Sequence, residues 1–304
     1  MILKPPRLQS GDLVGVIAPA GPVSPEDLEP GIRRLEGFGC RAVRGVHLYD
    51  SLAYTAGDDA SRLEDLHAMF ARPEIRAVFC ARGGYGCIRL LSRIDPALFR
   101  THPKILMGYS DITSLLWGLH ASTGLVCFHG PVVRGFKDRE RSADLETFFR
   151  WVQDPVRPPE IDLSPTGRAV CEGRASGPVF GGNLSLVSHL MGTPFMPDLS
   201  GAILFLEETR EPLYRIDRML AHLALGGVFD KLSGLLAGDF GENNTNDAVL
   251  GLFRERLHPL GIPLATGLPV GHYGRNIPLP IGLPAVLDTD LMRLSYLEPC
   301  VSAF

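Results

Sequence analysis

The sequence predicts an α/β protein, with a parallel sheet flanked by helices in its first half and a smaller α+β domain in its second. Short apolar runs bounded by turn residues alternate with stretches whose apolar residues recur at helical spacing. That alternation loosens after a polar, Pro-rich stretch near the middle of the chain. The 304 residues suit about two domains with a substantial core.

Leu13, Val14, Val16 and Ile17 form the first run, read as a central strand ended by Pro19. Ser24 then offers a helix cap, with Pro25 at the first helical position and Glu26 and Asp27 in the first turn. Pro30-Gly31 is expected to interrupt that helix. Asp58 and Asp59 precede Leu63, Leu66 and Phe70, again at helical spacing. Residues 75–81 read as a second buried strand, ending in Arg82-Gly83-Gly84-Tyr85-Gly86. Residues 104–108 read as a third, running into Tyr109-Ser110-Asp111, with a helix over 112–120 and a strand over 125–128. Such runs imply strands covered on both faces, in a sheet whose ligands gather beyond the strands' carboxyl ends.

The expected domains are residues 1–140 and 174–304, with 141–173 as the linker. The second half is expected to hold helices near 184–191, 214–225 and 247–257. Its expected strands lie near 202–206, 232–237, 285–288 and 292–296.

Composition narrows the function classes. The net charge is −4 with both signs interspersed, which gives no general attraction to nucleic acid or an anionic membrane. The N-terminal residues lack the apolar core of a signal peptide, and no uncharged apolar run approaches a membrane span, so a cytoplasmic location is expected. Six scattered cysteines, with no C-x-x-C pair, are expected as small buried hydrophobes in a reducing compartment. The nine histidines include no H-E-x-x-H or other close ligand pair, so no metal is expected; with no G-x-x-x-x-G-K-S/T and no acid placed for a ribose, no cofactor is expected either.

Gly108-Tyr109-Ser110-Asp111 lies where an apolar strand turns into an apolar-periodic helix. A nucleophilic serine suits that place, because the turn lifts its hydroxyl above the sheet and the helix start aims amides at a developing oxyanion. Ile112 stands where the usual elbow has glycine, and a helix-capping serine is the competing reading. The glycines after Arg82 let backbone approach a ligand and turn an amide outward, Gly84 being the expected oxyanion donor beside Asp111. Glu207 ends an apolar run, with Glu208 its immediate rival. His272 sits in a Gly-rich turn, and His129, at a strand end near the serine, is the rival base.

Taken in order, several segments together resemble the LD-carboxypeptidase family of serine peptidases, which includes murein tetrapeptide carboxypeptidases and microcin C self-immunity peptidases. They are Gly15 to Gly21, Arg82 to Gly86, Gly108 to Thr113, Phe128-His129-Gly130-Pro131, Gly181 to Leu184, Leu206-Glu207-Glu208 with Tyr214 to Arg218, and Pro269 to His272. The resemblance implies a Rossmann-like N-terminal domain, a smaller C-terminal domain and a homodimer. It also implies a triad of Ser110 as nucleophile, His272 as base and Glu207 as orienting carboxylate, with Gly84 and Asp111 amides as the oxyanion hole. The substrate it implies is a murein tetrapeptide that loses its terminal D-alanine. A hydrolase of microcin C-like adenylates and a non-catalytic small-molecule sensor are the alternatives. A terminal carboxylate needs a cation, for which Arg82, Arg134, Arg215 and Arg275 are the candidates.

Overall fold

The computed structural model describes residues 2–241 and 246–303. In the first half, β1 (Leu13–Ile17), α1 (Pro25–Glu36), β2 (Arg41–Arg44), α2 (Asp59–Ala71) and β3 (Ile75–Cys80) are followed by α3 (Pro96–Thr101), β4 (Ile105–Gly108), α4 (Ile112–Thr123) and β5 (Cys127–His129). Ser24 caps α1 by accepting from the Asp27 amide, and Asp58 caps α2 by accepting from the Ser61 amide at 2.8 Å. Contrary to expectation, α1 runs unbroken through Pro30. Leu28, Ile32 and Leu35 are fully buried on one face, and that packing outweighs the single helical hydrogen bond proline removes.

The segment expected as a linker is instead folded. It contains α5 (Arg139–Gln153), β6 (Glu160–Asp162) and β7 (Arg168–Cys171). Leu145, Phe148, Phe149 and Val152 recur at i, i+3, i+4 and i+7 and are buried, which is the stripe an amphipathic helix needs. Phe149 stacks on Phe38 at 4.2 Å, and Phe148 meets Phe79 edge-on at 6.0 Å, so α5 packs against the first half's core. Polar residues and prolines around that stripe had masked its period.

The chain continues through β8 (Arg174–Asn183), α6 (Leu184–Leu190), β9 (Ile203–Glu207), α7 (Leu213–Leu225), β10 (Gly234–Ala237) and α8 (Asn246–Leu257). It closes with β11 (Leu264–Thr266), β12 (Leu279–Ile281), β13 (Pro284–Asp288) and β14 (Arg293–Tyr296). Strands β1 to β5 form the expected parallel sheet in the order β5-β4-β3-β1-β2. The second sheet is mixed and eight-stranded, β6-β14-β13-β8-β9-β10-β11-β7, with β8 to β11 parallel at its centre. One late strand crosses back: β12 pairs antiparallel with β5, placing Leu279 opposite His129. Both halves share a continuous apolar core. The site-bearing segments at the ends of β3, β4 and β9 thereby meet on one side of the molecule. Among the described residues, no helix is long and apolar enough to cross a membrane.

Candidate active site

Ser110 follows the last residue of β4 by two and precedes α4, so it sits on the strand-to-helix turn itself. Its φ is +65°, a left-handed backbone that residues with a β-carbon seldom adopt. A helix cap takes extended backbone, so the capping interpretation does not describe this serine. Asp111, at φ −54°, begins the helical turn instead.

The loop after β3 lies against that turn. A β-carbon on Gly83 would come 2.9 Å from Ser110 Cβ and 3.1 Å from its Oγ, so only glycine fits so close to the hydroxyl. Gly84, at φ +129°, lies against Gly21, whose amide donates to the Gly83 carbonyl at 3.1 Å. The Gly15 to Gly21 segment therefore props this loop. From the other side, the buried Asp111 carboxylate accepts from the Cys87 amide at 2.8 Å. Burial pushes the Asp111 carboxyl up, while the Cys87 and Gly86 amides pull it back. Cys87 itself is buried, and its thiol is pushed far up by burial and then by the Asp111 charge, which leaves it no nucleophile.

From the second half, His272 places Nδ1 2.7 Å from Glu207 Oε2; the imidazole is 18% exposed and the carboxylate fully buried. Its ring lies 4.8 Å from that of Tyr109, next to the serine. Glu208 has a different use. It accepts from Asn183 Nδ2, from the Ser185 amide and hydroxyl, and from the Thr209 amide, at 2.6–2.9 Å. Burial raises its carboxyl while those donors oppose the rise. His129 is fully buried, 3.2 Å from Asn276 Oδ1, and burial holds it down to about 4. It does not face the cleft.

The cleft holds about 590 Å³ and is lined by Gly83, Gly84, Ser110 and His272 together with Arg82 and Arg134. Arg82 donates to the Pro22 carbonyl, and Arg134 lies 3.2 Å from Asp27. Arg215 is outside, paired with Glu211 on α7. Arg275 lines a neighbouring cavity of about 710 Å³ and is tied to Asp144 at 2.6 Å. Sequence reasoning missed Arg210 and Tyr273, which also line the cleft. Arg210 has φ +61°, exposes its side chain, and has no hydrogen-bond or ion-pair partner among the described residues. A basic residue soon after Glu207 was its only sequence signal. Among the described residues, no cluster of three or more His, Cys, Asp or Glu side chains could hold a metal.

The profile of the LD-carboxypeptidase N-terminal domain matches residues 14–130, and that of the LD-carboxypeptidase C-terminal domain matches 176–287. A probable murein peptide carboxypeptidase of Bacillus subtilis is 38% identical, over 94% of this chain and 92% of its own. The murein tetrapeptide carboxypeptidase of Pseudomonas aeruginosa is 34% identical, over 92% of this chain and 94% of its own. Among solved structures, an MccF-like protein of Bacillus anthracis superposes with a TM-score of 0.92 at 27% identity, covering 97% of this chain and 99% of that one. With both profiles matched in order and relatives aligned along nearly their whole length, the chain belongs to the LD-carboxypeptidase family of peptidases.

Proposed function

We propose that the chain is a serine-type LD-carboxypeptidase that releases the terminal D-alanine of a murein tetrapeptide, with Ser110, His272 and Glu207 as its triad. The observation that carries this reading is the shared cleft. It is lined by a serine on a strained strand-to-helix turn and by a histidine whose Nδ1 is held 2.7 Å from a buried glutamate.

The chemistry follows from those roles. With Nδ1 committed to Glu207, Nε2 takes the Ser110 proton as Oγ attacks the scissile carbonyl. The amides of Gly84 and Asp111 receive the oxyanion, each worth about 3–4 kcal/mol of barrier lowering. His272 then protonates the leaving D-alanine amine as the C–N bond breaks. Water, deprotonated by the same nitrogen, releases the acyl group and restores the serine. Glu207 stabilises the transient imidazolium without taking its proton. Arg82 and Arg134, already in the cleft, are the cations assigned to the substrate carboxylate, with Arg210 joining them. Arg215 and Arg275, which do not line this cleft, are set aside. A cytoplasmic homodimer acting in cell-wall recycling completes the reading.

Incubation with murein tetrapeptide, followed by mass analysis, is expected to show loss of one alanine, unaffected by EDTA. A fluorophosphonate is expected to modify Ser110, and raised KM for the free-acid peptide is expected when Arg82 or Arg134 becomes Ala. An intact tetrapeptide together with an unlabelled Ser110 would sink the proposal and favour a sensor. The fold likeness to an MccF-like protein supports a second reading, hydrolysis of a peptidyl adenylate. Faster cleavage of that substrate than of tetrapeptide would install it.

A further inference from the structure

His129 takes no part in the proton exchange above, yet it touches the carriers of all three proposed reacting groups. It pairs in register with Gly108, two residues before Ser110, and the Gly130 amide donates to the Gly108 carbonyl at 3.0 Å. Its ring meets Tyr109 edge-on at 6.0 Å and Phe205 edge-on at 5.1 Å. Tyr109 immediately precedes Ser110, and Phe205 stands two residues before Glu207 on β9.

The third contact reaches the histidine turn. His129 Nε2 lies 3.2 Å from Asn276 Oδ1, and the same oxygen accepts from the Gly271 amide at 3.3 Å. A backbone amide only donates, so the Asn276 atom is the acceptor oxygen and His129 Nε2 carries the proton. Asn276 is itself anchored: its amide donates to buried Asp144 Oδ2 at 2.8 Å, and the other oxygen of that carboxylate holds Arg275. Five separate stretches of chain (the serine turn, β5, α5, β9 and the 271–276 turn) therefore converge on two fully buried side chains.

We propose that His129 and Asn276 form a brace that sets the spacing between the serine turn and the histidine turn, making both of them positioning residues for the reaction. The proposal rests on the triad reading above. A hydrogen-bonded brace is rigid where an apolar contact would slide, and the turns that carry the proposed reacting atoms both touch it. Full burial keeps the imidazole neutral at physiological pH, so it braces the site without adding a cation beside Glu207 and His272.

Three variants of the full chain test it: His129→Leu, His129→Gln and Asn276→Ala. Leucine keeps the bulk and removes the donor, whereas the glutamine amide places an N–H near the position of Nε2. Misplacement by about 1 Å predicts a kcat on tetrapeptide roughly 100-fold lower in the Leu and Ala variants, with KM close to wild type. Fluorophosphonate labelling of Ser110 should slow in parallel, and His129→Gln should recover most of both rates. A packing role alone predicts a lowered melting temperature with kcat preserved, and no advantage of Gln over Leu. Wild-type kcat in the Asn276→Ala variant, or equal rates for Leu and Gln, overturns the brace and leaves the triad standing. A wild-type protein that neither labels nor cleaves overturns the triad and the brace with it.

Discussion

The turn carrying Ser110 and the turn carrying His272 line one cleft but are built by different means. The serine turn is local. A buried strand, a left-handed serine and a helix follow one another within a few residues, and the glycine loop that abuts it ends the adjacent strand β3. The histidine turn is assembled from a distance. Its imidazole is oriented by a glutamate 65 residues earlier, and its backbone is tied through Asn276 to a histidine 147 residues earlier. One half of the site is thus set by backbone geometry and the other by side-chain hydrogen bonds. Substitutions should damage the two halves in different ways.

The largest expected effect separates adjacent carboxylates. Glu207→Gln keeps the shape but removes the charge that holds His272 in its tautomer, and the loss expected in kcat is about 10⁴-fold. Glu208→Gln weakens four hydrogen bonds, three of which join the end of β9 to the start of α6. Its expected effect is a loss of about 1–3 kcal/mol in folding stability with most of kcat retained. Urea unfolding and steady-state kinetics on both variants check the contrast. A catalytic defect larger in Glu208→Gln than in Glu207→Gln would reverse the assignment.

The same division explains what was legible in the sequence. The strand-to-helix turn at Ser110 could be read because its signals lie within one window: an apolar run, a glycine and an apolar-periodic helix. Parallel strands β1, β3, β4 and β9 were legible for the same reason. The residues Glu207 and Glu208 could not be told apart, because which one meets His272 depends on the register of β8, β9 and β10. Local pattern alone left His129 and His272 open, since the return of β12 that buries His129 leaves no local trace, and only the family resemblance selected His272. Helix α5 was hidden by the charged and proline-rich residues flanking its apolar stripe, and Pro30 was misjudged because packing overrode a local rule.

A smaller effect tests the local half. Gly83→Ala introduces a β-carbon 2.9 Å from Ser110 Cβ, closer than such atoms approach, and both neighbours are set by backbone rather than by flexible side chains. The serine turn must shift, and a displacement of a few tenths of an ångström predicts a fall in kcat of about 10-fold or more, from the steep dependence of reaction on alignment. Melting temperature should change little. Unchanged fluorophosphonate labelling in this variant would show that the glycine loop can retreat without moving Ser110.

The last contrast belongs to the distant half and is read in stability. His129 is held down to about 4 in the folded chain by burial, whereas an unfolded histidine titrates near its ordinary value of about 6.5. Between those two values the unfolded chain binds a proton that the folded chain refuses, so acid favours unfolding. The contribution is fully present above about pH 6.5 and is lost as pH falls toward 4, with a span of up to about 3 kcal/mol. His129→Gln removes the titrating group, so unfolding free energies measured across this range should slope less steeply than wild type. An identical slope in the two proteins would mean that His129 accepts a proton in the fold as readily as in the unfolded chain, and its burial between Tyr109 and Phe205 would then be looser than the ring contacts show.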